Sequence, residues 1–159
     1  MKFATLDLYR RYLAGQYLFR KHIEEHFKGG EKLLDEACDW RPLTLLDAIR
    51  SDMVDLNVAE PTQGRSTAPL ATPDRSSLLG SLYVIEGSNM GARILYRDAL
   101  ALGLGSRYGA SHLSLQSVDK TRWPDFLALL EQSDIDISVA IASANNLFSI
   151  AYNAFAGPK

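Results

Sequence analysis

The stretch from Leu78 to Leu102, LLGSLYVIEGSNMGARILYRDALAL, constrains this chain more than any other. Apolar residues at Leu78, Leu79, Leu82, Ile85, Met90, Ile94, Leu95, Ala99 and Leu102 keep helical spacing, and no proline interrupts them. The spacing predicts one long helix. Gly80, Gly87 and Gly91 nevertheless lie inside it, and each costs about 1 kcal/mol relative to alanine in a helix interior. At about 100° per residue these glycines fall near one edge, beside Ser77, Ser81, Ser88 and Ala92. An edge so poor in side chains admits a neighbouring backbone or a flat ligand, and it lets a helix bend, here within Glu86–Gly91. Two readings follow: close helix packing through small residues, or a shelf for a ligand.

The flanking segments are helical too. Leu6, Leu8, Tyr9, Tyr12, Leu13, Tyr17, Phe19, Ile23 and Phe27 predict a helix over Thr5–Phe27, stopped by Gly29–Gly30. Its basic residues Arg10, Arg11, Arg20 and Lys21 read as a solvated face, and His22 and His26 as surface histidines beside Glu24 and Glu25. A short helix is expected over Glu31–Asp39, and a longer one from Pro42 to about Val58, where proline suits a first turn. Ala59–Asp74, with three prolines, reads as a connecting loop, and Gly103–Ser117 as a second loop that holds Arg107, Tyr108 and His112. Thr121–Glu131 and Ile135–Ala156 complete the set, with Asp134 as cap of the last helix and Gly157–Pro158 as its stop. Strand patterns and internal repeats are lacking, so the expected architecture is an all-α bundle of about six helices in one domain, residues 1–159.

Composition narrows the function classes. A formal net charge of −2 leaves no footprint for nucleic acid. The single cysteine, Cys38, excludes an internal disulfide and suits a reducing compartment. No apolar run approaches the roughly 20 residues that span a bilayer, so a cytoplasmic protein without membrane partners is expected.

The segment LLGSLYVIEGSNMGARIL resembles the distal helix of bacterial heme oxygenases, the type that accompanies bacterial phytochromes. Gly80, Leu82, Tyr83, Val84, Glu86, Gly87, Ser88, Gly91 and Arg93 match its G-x-LYV-x-EGS-x-x-G-x-R pattern without a gap. DLYRRYLAGQYLFRKHIEEHF is similar to the family's second helix, and RPLTLLDAIRSDMVDL to its R-x-x-x-L-x-x-D-[LM]-x-x-L helix. Trp123 with Phe126, and Ala144 with Phe148, match W-x-x-F and A-x-x-x-F positions near the end of the family's chain. The resemblance implies a heme-oxygenase-like helical bundle with a kinked, glycine-containing central helix lying over one heme face. Tyr83, Gly87, Ser88, Gly91 and Ala92 are then the candidate cofactor-binding residues, and Arg10, Arg11, Arg107 or Arg122 candidate partners of propionates. Asn89, Met90 and Ala92 depart from the residues most frequent in the family at those positions.

The family holds iron through a histidine on a helix that precedes the segment matched from Thr5 onward. Since this sequence starts at Met1, the resemblance implies that this ligand is missing; no catalytic or metal-binding residue is assigned, and His22, His26 and His112 are poor replacements. The expected function is therefore a degenerate homologue that binds heme, biliverdin or another apolar ligand, or a protein partner, without cleavage. The alternative is an active enzyme that opens heme to biliverdin, carbon monoxide and iron with an external reductant. A homodimer or partner covering part of Leu6–Phe27 is expected where a neighbouring helix would lie.

Overall fold

A computed structural model describes residues 3–28, 30–34, 40–61 and 74–156. Among these residues six α-helices follow one another: α1 (Leu6–Phe27), α2 (Leu46–Asp55), α3 (Arg75–Ala101), α4 (Ser111–Val118), α5 (Arg122–Glu131) and α6 (Ile137–Phe155), with a 3-10 turn at Gly30–Leu33. Among the described residues there are no strands beyond isolated bridges at Gly105, Tyr108 and Gly109. The chain is all-α. Cys38, most of the Ala59–Asp74 connection, and Gly157–Pro158 lie outside the described residues.

α3 is the hub, packed against α6, α4 and α5, while α1 packs on α2 and α6. Its start is encoded locally: Asp74 accepts from the Ser77 N–H at 2.8 Å, and the Ser77 hydroxyl reaches back to the Asp74 backbone, a reciprocal capping box. Helical conformation then continues through Gly80, Gly87 and Gly91 without interruption. Thr5 caps α1 in a similar way.

One helix start and one whole helix differ from the sequence expectation for a shared reason. α2 begins at Leu46 rather than Pro42, because its leading N–H groups are capped from another helix: Leu45 and Leu46 donate to the Glu24 carboxylate of α1 at 2.7 and 3.3 Å. Residues 111–118 form α4 rather than a loop, because the Asp52 carboxylate of α2 accepts the backbone N–H of Ser111 and His112 at 2.8 and 3.0 Å. Unpaired N–H groups at a helix start must find acceptors, and here the acceptors are distant in sequence. α6 starts at Ile137 and is capped by Asp136, not Asp134, since the Asp136 side chain accepts from Ser138 and Val139. Of the expected Glu31–Asp39 helix, only the 3-10 turn lies within the described residues.

The core has two lobes. Tyr9, Tyr12, Leu13 and Tyr17 of α1 meet Ile49 and Met53 of α2, Ala92 and Ala99 of α3, and Leu113 of α4. Phe19, Ile23 and Phe27 of α1 meet Leu78, Leu79, Leu82 and Ile85 of α3, Phe126 of α5 and Leu147 of α6. Burial of each such side chain contributes roughly 1.5–3 kcal/mol. The apolar stripe of α1 is thus covered within the chain, with Leu8 the exposed member. The surface expected to require a partner along α1 is small. Arg20, expected on a solvated face, is 1% exposed and sits in the core.

Candidate functional site

The two halves of α3 use their glycines differently. A Cβ added at Gly80 would lie 2.1 Å from the carbonyl oxygen of Ala140, so at this point α3 and α6 touch backbone to backbone. At Gly87 an added Cβ would make an ordinary contact, 3.6 Å from the Trp123 ring. At Gly91 it would meet nothing within 4 Å among the described residues. The first glycine serves helix packing; the last leaves main chain bare toward solvent.

Around Gly91 the helix face is apolar and uncovered. Tyr83, Met90 and Ile94 are 45%, 56% and 53% exposed, and with Gly87 and Gly91 they fall within roughly 100° of the helix circumference. Tyr83 packs on Trp123 with ring centroids 5.3 Å apart, which gives the bare face an aromatic border. Tyr83 also lines a cleft of about 630 Å³ between α3 and α6, together with Leu79, Ile137, Ile141 and Ala144. Of the residues singled out by sequence, Tyr83, Gly87, Ser88 and Gly91 lie on the accessible side of α3. Ser88 is exposed and its hydroxyl donates to the Ile85 carbonyl at 2.6 Å. Ala92 lies on the opposite side, buried in the first lobe of the core.

Beneath this face runs a buried polar tract that sequence reasoning did not bring together. Glu86 is fully buried and accepts from Arg122 at 2.7 and 3.1 Å, and from Asn89 at 3.1 Å. Asn89 in turn accepts from Gln116 at 2.7 Å. One turn earlier on α4, His112 Nδ1 lies 2.7 Å from Asp52. Burial pushes the His112 imidazole below its ordinary 6.5, outweighing the upward pull of Asp52. Burial alone would raise Asp52, but hydrogen bonds from His112 and Ser111 hold its carboxyl below the ordinary 3.8. At neutral pH the pair is therefore a neutral imidazole donating Nδ1–H to a carboxylate. Asp52 is the aspartate of the D-[LM]-x-x-L pattern, so a signal for it was present; its contact with His112, 60 residues away, had none.

His112 is thus committed to the core and not to a loop. His22 on α1 is half-buried rather than a surface group, with burial lowering its pKa, and the His26 side chain is outside the described set. Among the described residues no group of three or more His, Cys, Asp or Glu is placed to hold a metal ion. The candidate propionate partners divide. Arg122 is held by Glu86 and by the Arg41 carbonyl, and Arg10 by Asp7 and the Leu56 carbonyl, whereas Arg11 and Arg107 are exposed. Chemically, the bare face suits one side of a flat, apolar ring system: it offers main chain without Cβ, an aromatic edge and two aliphatic side chains. Within the described residues it offers no histidine.

A scan of protein-family models matches none. Heme oxygenase PigA from Pseudomonas aeruginosa is 32% identical to this chain over 135 residues, covering 84% of this chain and 67% of that protein. The crystal structure of the NO- and CO-bound heme oxygenase from Neisseria meningitidis superposes with a TM-score of 0.77 at 24% identity. It covers 98% of this chain and 80% of its own, a likeness of fold. No helix among the described residues is long and apolar enough to cross a membrane.

Proposed function

Because the chain belongs to the heme oxygenase family, we propose that it binds a tetrapyrrole of the heme class on the bare face of α3 and does not itself cleave it. The observation that carries this reading is the open main chain at Gly91, between exposed Met90 and Ile94. A planar macrocycle gains most from a surface it can approach closely, and the absence of Cβ atoms at Gly87 and Gly91 permits that approach. Tyr83 and Trp123 close one border. Arg97, exposed and three residues beyond Ile94, offers a positive charge for a propionate at the other.

Bound heme supplies oxygen chemistry only when its iron is held by a suitable axial ligand. His112 does not fill that role here, since its ring is fully buried in the core and Nε2, the nitrogen left over by the Nδ1 contact with Asp52, is closed off from the bare face. The residues of this chain therefore fit the work of holding and orienting a macrocycle. The second reading, cleavage to biliverdin, rests on the relationship to a protein named a heme oxygenase.

Hemin titration followed by visible spectroscopy tests both. The expected result is saturable binding of one hemin per chain, lost in Gly91→Leu, with no stoichiometric biliverdin or carbon monoxide when an electron donor is added. Unchanged binding in Gly91→Leu would remove the shelf from the account. Biliverdin and carbon monoxide formed in the presence of catalase would replace binding by turnover.

A further inference from the structure

On the buried side of α3 lies a pocket of about 260 Å³, separate from the glycine face. Its walls are Ile23 and Phe27 of α1, Leu34, Leu43, and Leu78 and Ile85 of α3. Arg20 also lines it, with a side chain 1% exposed. A guanidinium carries five N–H donors, and when buried it is normally paired with acid groups. Here Nη1 makes one long hydrogen bond, 3.4 Å to the Leu43 carbonyl, and Nε is buried without an acceptor. Among the described residues no carboxylate forms an ion pair with it. Among the described residues the acids that act on Arg20 through space are Glu24 and Glu86, and both are engaged elsewhere. Glu24 caps α2, and Glu86 is held by Arg122 and Asn89.

Among the described residues the charged groups lining the pocket are Arg20, Lys28 and Glu24, one positive charge in excess. At about 30 Å³ per water the space equals roughly nine waters, room for a compact ligand and not for a macrocycle. We propose that this pocket binds a small monocarboxylate with an apolar body, its carboxylate taken by Arg20 and its body packed on Ile23, Phe27 and Leu78. Nothing in this assignment depends on the tetrapyrrole reading, because the two sites occupy different sides of α3.

Calorimetric titration of the whole chain with phenylacetate and with hexanoate, against phenylacetamide as the uncharged counterpart of the first, tests the assignment. The expected result is saturable binding of one acid per chain, and weaker binding of the amide. Arg20→Met should weaken acid binding by about ten- to a hundredfold, the effect of removing a charge-assisted hydrogen-bonded pair. That variant should remain folded, since an apolar side chain of similar length removes an unpaired buried cation. Thr44→Trp, at the exposed mouth, retains Arg20 and should also block entry. Hemin binding should be unchanged in both variants. Equal affinity for acid and amide, undiminished binding in Arg20→Met, or no saturable binding of either acid by the unaltered chain would overturn the assignment.

Discussion

The N-terminal and C-terminal halves of α3 share one helix, one glycine-rich composition and opposite surroundings. In the first half Gly80 is pressed against the Ala140 backbone, and Leu78, Leu79 and Leu82 are buried. In the second half Gly91 faces open space, with Met90 and Ile94 exposed beside it. A glycine in a helix interior costs the same wherever it stands, so the two halves offset that cost by different means. The first gains close packing between helices. The second keeps an accessible strip of main chain at a cost in stability, and the ligand shelf proposed above would account for that cost.

The largest expected effect belongs to the packed half. In Gly80→Ala the new methyl would overlap the Ala140 main chain, which cannot step aside as a flexible side chain could. The two helices must separate, and a loss of about 3 kcal/mol or more is expected. Urea unfolding of the variant checks this. A midpoint equal to that of the unaltered chain would show that α3 and α6 do not meet at this point.

The next tests the seam between the halves. Glu86 is fully buried, and its ion pair with Arg122 joins α3 to α5. Arg122→Met leaves a buried carboxylate with Asn89 as its remaining partner, and removal of one member of such a pair costs about 2–3 kcal/mol where the lost partner is partly exposed. In the double variant with Glu86→Gln, much of that loss should return. A double-mutant cycle with no coupling would mean that the contact contributes nothing to stability.

The contrast between the halves was only partly legible in sequence. Apolar spacing located α1, α3, α5 and α6 to within a few residues, because each buries a continuous stripe whose period is local. The glycines of α3 were legible as an anomaly, but periodicity gives an angle about one helix axis and cannot state what stands opposite. Gly80 and Gly91 therefore looked alike. The start of α2 was misplaced, and α4 was read as a loop, because their caps, Glu24 and Asp52, come from other helices. Arg20 read as a surface cation, since its spacing on α1 carries no mark of the buried pocket it lines. His112 read as a loop residue for the same reason as α4: its partner is 60 residues away.

A smaller effect, set by pH, concerns the support beneath the bare half. Burial depresses the folded-state pKa of His112 below 6.5, so the unfolded chain binds more protons as the pH falls through that value. The contribution is full above the unfolded pKa and is lost as the pH falls toward the folded one; Asp52, also depressed, adds a loss of the same sign below 3.8. From His112 alone the slope is at most about 1.4 kcal/mol per pH unit. Denaturation midpoints should therefore fall between about pH 7 and about pH 5.5, and the fall should be reduced in His112→Gln. An unaltered chain with level midpoints over that range would remove the buried neutral imidazole from the account.

The smallest expected effect is a gain, and it separates the two halves most directly. Gly91→Ala adds a methyl that meets nothing, at a position already helical, so it removes unfolded-state freedom without strain. Stability should rise by about 0.5–1 kcal/mol, opposite in sign to Gly80→Ala about three turns earlier in the same helix. If the bare strip is kept for a macrocycle, the same methyl should weaken hemin binding while the fold becomes firmer, and Gly91→Leu should extend that loss to the whole signal. Should Gly91→Ala be both more stable and equal in hemin affinity, the bare strip would have no binding role and the glycine would stand without a physical account. A loss of stability in Gly91→Ala would instead show that something covers this face in solution, and the distinction between the two halves of α3 would disappear.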